Sequence, residues 1–219
     1  MTVLAIFFAP VQYFRMAGLP NWAPAVAAVA VHAGFTAAAV VAVEARLLAA
    51  QGVTGLVAQV AVVLAAAGMA IQEGFLFALA AGAVVVLDAV FSRSGKAPRL
   101  VEFTGIAHVT QIPWALLSLV ILAGFWAPPA FRPPPDAGGL EALQAADDYA
   151  RGARTSGLPG ALTLIRTGFG LWLALLQGCA LRVVSGFTVA GAWAAGSSLA
   201  FVLAVAPWAL QRLGMPWTW

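Results

Sequence analysis

Long apolar stretches separated by brief polar breaks run through most of this chain, and their lengths decide how they read. An opening run with Val3, Leu4, Phe7, Phe8, Val11, Tyr13 and Phe14 is interrupted by Pro10 and followed by Arg15. The first long apolar segment covers 22–43, opened by Asn21, Trp22 and Pro24 and closed by Glu44 and Arg46. Further segments follow at 72–90, 103–125, 162–184 and 189–210. Each is about 20 residues, the length a helix needs to cross a hydrocarbon core, whereas barrel strands would be about 10 residues with alternating polarity. In lipid every peptide N–H and C=O must bond within the protein, so segments of this length read as helices. The pattern predicts an all-α polytopic membrane protein of about five transmembrane helices with short interfacial helices, forming one membrane domain over 1–219.

Three stretches do not read as simple spans. Residues 1–21 are too short to cross and are expected to lie in the interface as a short helix or turn. They lack a basic region ahead of the apolar residues, so a cleavable leader is not expected. Residues 47–91 are nearly unbroken, yet one helix over 53–90 would be about 57 Å long, well beyond one hydrocarbon core. Two arrangements remain open: an interfacial segment to about residue 70 with a span at 72–90, or a hairpin turning at Gln72-Glu73-Gly74. The single span is preferred because three residues make a tight turn and because it agrees with the distribution of charge. Residues 126–160 form an extramembrane loop in which Pro128, Pro129 and Pro133 to Pro135 favour extended backbone. A short amphipathic helix is expected from Leu140 to Arg151.

Composition agrees with a lipid-facing surface. Of 219 residues 63% are hydrophobic and 9% charged, against about 25% charged in soluble domains. The net charge is only +3, and no run of Lys and Arg suits nucleic acid. Cys179 stands alone and the chain has two histidines, which leaves no disulfide framework and no Cys- or His-rich metal site; no cofactor is expected. One Lys among many Arg, with abundant Ala, Gly and Val, is the composition of a high-GC bacterial source. Arg15, Arg93, Lys96 and Arg99 cluster at one side of the predicted spans, and the positive-inside rule then puts the N-terminus in the cytoplasm of an inner (plasma) membrane. Arg151 and Arg154 fall on the opposite side, against that rule.

Polar groups within the spans are the candidate chemistry: His32, Glu73, Asp88, His108, Gln111, Arg166, Gln177 and Arg182. Under the topology above Asp88, His108 and Arg182 lie toward the cytoplasmic helix ends, and with Gln111 they form the candidate cluster. An Asp88–Arg182 pair would hold both charges near lipid; the competing reading lets each snorkel to the headgroups. His108 with Glu102 or Asp88 is the conceivable acid–base pair of a membrane enzyme. Asp147 and Asp148 are adjacent and point about 100° apart on a helix, as a solvated face does. No catalytic residue is assigned. Pro113 is expected to kink its span, with a nearby Thr or Gln taking the freed carbonyl. Ala192, Gly196 and Ala200 recur every fourth residue and form a helix-packing face. Trp22, Trp126, Trp208, Trp217 and Trp219 fall near span ends, at headgroup level.

Three stretches carry a family likeness. IFFAPVQYFR…LPNWAPAV at 6–26, FSRSGKAPRLVEFTGIAHVTQIPWALLSL at 91–119 and LWLALLQGCALRVVSGFTVAGAW at 171–193 resemble diagnostic segments of the bacterial Yip-domain (Ypt-interacting protein domain) integral membrane family. Order and spacing agree over most of the chain, although 53–70 is apolar where the family usually has a polar stretch. The resemblance implies five helical spans and a cytoplasmic N-terminus. Eukaryotic relatives bind small GTPases and partner membrane proteins; the GTPase role is not expected to carry over to so little soluble mass. The expectation is a non-enzymatic scaffold or accessory subunit of a membrane assembly, partnered by the lipid bilayer and by itself or other membrane proteins. The alternative is a small transporter or channel using the polar cluster.

Overall fold

The computed structural model describes residues 5–16, 21–135 and 138–212, without the side chains of 203–212. Trp208, Trp217 and Trp219 therefore fall outside the described side chains. The chain forms α1 (Ala5–Phe8), α2 (Pro10–Met16), α3 (Trp22–Ala50), α4 (Gly55–Phe91) and α5 (Ala97–Ala107). A 3₁₀ turn (His108–Gln111) leads into α6 (Ile112–Gly124), followed by α7 (Gly139–Thr155), α8 (Gly157–Ser185) and α9 (Val189–Arg212). No strand occurs among the described residues. Four stretches are long and apolar enough to cross a membrane: α3, α4, α5 with α6 as one unit, and α8. With α9, which is 24 residues long and apolar from Val189 to Val202, they make an all-α polytopic membrane bundle.

Side-chain contacts fix how the helices run. At one end of α3 the Asn21 N–H donates to Glu102 of α5 at 2.9 Å, and at the other Arg46 donates to the Leu122 carbonyl of α6 at 2.7 Å. The two units are therefore parallel. So are α4 and α8, joined at Glu73–Arg166 and again where Ser92 Oγ donates to the Ser185 carbonyl. Between α8 and α9 the chain reverses at Gly186, whose φ of 73° is the left-handed conformation that commonly ends helices. The bundle thus has a basic-loop end, with Asn21 and residues 92–97 and 185–188, and an α7 end, with residues 51–54, 125–135 and 138–156.

Helix α3 does not stop at Glu44 and Arg46 but continues to Ala50. Both charges are satisfied sideways, so neither has to end the helix. The Arg46 guanidinium donates to the carbonyls of Leu122 and Ala123, which α6 leaves unpaired at its C-terminus, and to that of Trp126 just beyond the helix. Glu44 takes two hydrogen bonds of 2.8 Å from Arg154.

Helix α4 departs further from expectation. It is one continuous helix of 37 residues, with neither a turn at Gln72-Glu73-Gly74 nor a break near residue 70. A lone glycine costs a helix about 1 kcal/mol, less than unpairing several peptide groups in an apolar medium. Leu56, Val57, Val60, Val63 and Leu64 in its first half face outward, 48–74% exposed.

The N-terminal segment is helical but does not merely rest on the bundle surface. Ile6 and Phe14 are buried, and Phe14 stacks on Phe103 at 4.6 Å. Burying such side chains between helices compensates for the short helix that Pro10 enforces. Nearby, Gly105 lets α5 approach α3, since a Cβ there would sit 2.7 Å from the Ala25 Cβ.

At the other end α7 roofs the bundle. Ala150 and Ala153 pack with Leu47, Trp126 and Leu162, Gln51 donates to the Ala146 carbonyl at 2.8 Å, and Tyr149 donates to that of Pro129 at 2.5 Å. Partial desolvation raises the Tyr149 phenol above its ordinary pKa. Arg154 pairs with Glu44 and Arg151 with Asp147, so the two arginines that strain the positive-inside rule are each neutralised by a carboxylate. Glu44→Gln is expected to release α7: amide exchange over 139–155 should quicken at least tenfold while exchange in α4 holds. Uniform exchange changes across both helices would count against a local tether.

Candidate functional site: a charge cluster inside the bundle

Two helix registers bring the site together. In the α3–α4 hairpin, closed by Gln51 to Thr54, residues facing each other have numbers summing to about 105, which sets His32 beside Glu73. In the parallel α4–α8 pair the offset is 93, which sets Arg166 beside Glu73.

Glu73, 5% exposed, is the hub. Its Oε1 accepts from Arg166 at 2.6 Å. Its Oε2 lies 3.8 Å from His32 Nδ1, an electrostatic contact too long for a hydrogen bond. The His32 ring centroid is 5.9 Å from that of His108, and Phe77 meets His108 edge-on at 5.5 Å. Nδ1–H of His108 donates to the Thr104 carbonyl at 2.8 Å, which leaves Nε2 as the free nitrogen.

The break between α5 and α6 follows from Pro113, which has no N–H to offer the Val109 carbonyl. The Ile112 N–H takes that carbonyl in 3₁₀ geometry, and Thr110 Oγ1 donates to the Ala107 carbonyl at 2.8 Å. Gln111 is thereby free to reach α8, donating to the Phe169 carbonyl at 2.7 Å. The cluster therefore ties α3, α4, the α5–α6 unit and α8 at one place. Beside it lies a cavity of about 40 Å³ between α3, α6 and α8, with Thr36, Trp114, Ser118, Thr163 and Arg166 in its wall. That is room for one or a few waters.

Of the residues chosen from sequence, the structure brings His108 and Gln111 to this place but not Asp88 or Arg182. Asp88 is 15 residues beyond Glu73 and Arg182 is 16 beyond Arg166, about 22 and 24 Å along their helices. Asp88 Oδ2 accepts from Ser94 Oγ at 2.9 Å, and no ion pair joins Asp88 to Arg182 among the described residues. The reason is rotation. Fifteen residues turn α4 by about 60° and sixteen turn α8 by about 160°, so faces that meet at Glu73–Arg166 have parted one pair further on. Nor does Glu102 partner His108, since its carboxylate accepts from Arg99 and from the Asn21 N–H.

The packing face on α9 lies against α8. Gly178 abuts the Ala192 carbonyl, and a Cβ on Gly196 would stand 3.2 Å from the Ala174 carbonyl oxygen. Gln177 is fully buried, and neither of its amide atoms has a partner among the described residues. No three His, Cys, Asp or Glu side chains gather into a metal-holding group among the described residues.

Sequence reasoning had Glu73, Arg166 and His32 as separate polar positions and missed their meeting. The usable signal was the hairpin register, which follows once 51–54 is recognised as the only turn between α3 and α4. Chemically, the cluster is one carboxylate balanced by one guanidinium, with two buried imidazoles beside them. In comparison with known proteins, the chain matches no family model, no curated protein and no solved structure.

Proposed function

We propose that this chain is a non-enzymatic integral membrane protein of the Yip-domain type, a scaffold or accessory subunit of a membrane assembly. The observation that carries this reading is the closed charge balance of the cluster. Glu73 and Arg166 neutralise each other, and with the histidines they join four spans into one body. Such an arrangement suits a stable platform. The sequence likeness at 91–119 and 171–193 points the same way.

Charge also supports an orientation. The basic-loop end holds Arg15, Arg93, Lys96, Arg99 and Arg182 against Asp88 and Glu102, a surplus of three that equals the whole net charge. The reading places that end, with the N-terminus, in the cytoplasm of a bacterial inner membrane. Native pull-down from membranes with mass spectrometry tests it. Stoichiometric co-purification of a membrane partner or a second copy is expected, and strict monomers without a partner would oppose it.

A second reading, a small transporter, is favoured by the paired histidines and the adjoining cavity. Ionisable residues inside a membrane often mark ion or proton pathways. Under the scaffold reading, liposomes containing the wild type and His32→Gln/His108→Gln should leak protons at the same background rate. Flux above background that the double substitution abolishes would establish transport instead.

A further inference from the structure

A groove of about 450 Å³ opens between the last turn of α4 and the α8–α9 reversal. Its apolar wall is made by Leu87, Phe91, Phe187 and Ala194, with Phe91 and Phe187 edge-to-face at 6.5 Å. Ala194 and Ser198, one turn apart and both exposed, carry the groove along α9 away from the basic-loop end. Most hydroxyls in the wall are engaged: Ser92 donates to the Ser185 carbonyl, Ser198 to that of Ala194, and Thr188 Oγ1 accepts from the Gly191 N–H. Ser185 Oγ is different, being buried and without a partner among the described residues. At the mouth Arg93 directly follows Ser92, with Lys96 three residues on. Both are exposed, and neither has an acidic partner among the described residues.

We infer that this groove is a binding site for one anionic phospholipid, with an acyl chain along α9 and the phosphate toward the exposed Arg93 and Lys96 of the loop that follows Ser92. The volume lies within the range of small-molecule sites, roughly 300–1,000 Å³. An apolar furrow on a membrane-spanning bundle is filled by hydrocarbon in preference to water. Charge selects the headgroup, because unpaired basic residues at the membrane surface each favour an anionic lipid by about fivefold.

Native mass spectrometry of the detergent-purified full chain, offered equal phosphatidylglycerol and phosphatidylcholine, tests the site. One retained phosphatidylglycerol is expected, preferred at least tenfold. Arg93→Gln/Lys96→Gln should reduce that preference by roughly tenfold or more. Ala194→Phe, which fills an exposed part of the groove, should abolish retention while the circular dichroism stays helical. Ser198→Phe provides the same test should Ala194→Phe not fold. Millimolar inorganic phosphate should leave the lipid in place. Equal retention of phosphatidylcholine, displacement by inorganic phosphate, or retention indifferent to both groove-filling variants would overturn the proposal. A dimer that either filling variant dissociates, with lipid retention unchanged, would overturn it in favour of a second copy of the chain.

Discussion

Glu73→Gln alone is expected to cost about 3 kcal/mol of unfolding free energy in detergent micelles, the lower edge of the range for breaking a buried ion pair. The loss comes from what remains. Arg166 would keep its charge inside the bundle with no carboxylate to balance it, and His32 would lose the one anion near it. The lower edge is chosen because the Arg166 side chain retains 21% exposure, so its head can move outward and recover part of its solvation. Glu73→Gln/Arg166→Met should recover most of that loss, since neither charge then stays buried. Reversible unfolding by denaturing detergent measures both, together with Arg166→Met alone. A double variant whose cost equals the sum of the singles would show that the two side chains act independently, and the cluster would lose its claim to hold the spans together.

Gly178→Leu is expected to destabilise by 2–3 kcal/mol or more, within the range for overpacking a tight interface. A Cβ at 178 would run into the Ala192 carbonyl and come within 3.4 Å of the Gly196 Cα. Both neighbours are backbone and cannot rotate aside, so α8 and α9 would have to separate. Close approach is what small residues provide where lipid supplies little hydrophobic drive between helices. Gly168→Leu is the control: it lies on the same helix, and nothing stands within 4 Å of its added Cβ. It should cost under about 0.5 kcal/mol, as surface substitutions do. Helix propensity favours leucine at both positions, so similar losses for the two variants in the same detergent unfolding would mean that the α8–α9 contact does not set the effect.

These two expectations draw on different kinds of legibility. The packing face was visible as Ala192, Gly196 and Ala200 at a spacing of four, because spacing within a helix is a local property. Its partner was not visible, since only the reversal at Gly186 brings Gly178 and Ala174 against it. The charge cluster shows the same division. That Glu73, His108 and Arg166 lie in apolar segments is plain from the chain alone, while which of them meet depends on two registers and a rotation. Two acid–base combinations, Glu73 with Arg166 and Asp88 with Arg182, are separated by 93 and 94 residues. One residue of difference is about 100° of helix, enough to join the first pair and part the second. The unbroken α4 and the continuation of α3 through Glu44 and Arg46 were misread for a related reason. Polar residues look like stops until the groups that satisfy them, here Arg154 and the carbonyls closing α6, are seen in space.

What the sequence determined unaided was the class: helices that span a bilayer, their approximate places, a polar roof between α6 and α8, and a surplus of positive charge at one end. Each of these rests on peptide groups bonding within their own segment and on side chains choosing lipid or water, which neighbouring residues decide. Only the tertiary structure decided which buried charges neutralise each other, which glycines touch backbone and where a groove stays open. Those outcomes depend on the relative rotation and offset of segments up to 110 residues apart, as in Glu44 with Arg154, and no local pattern carries that information.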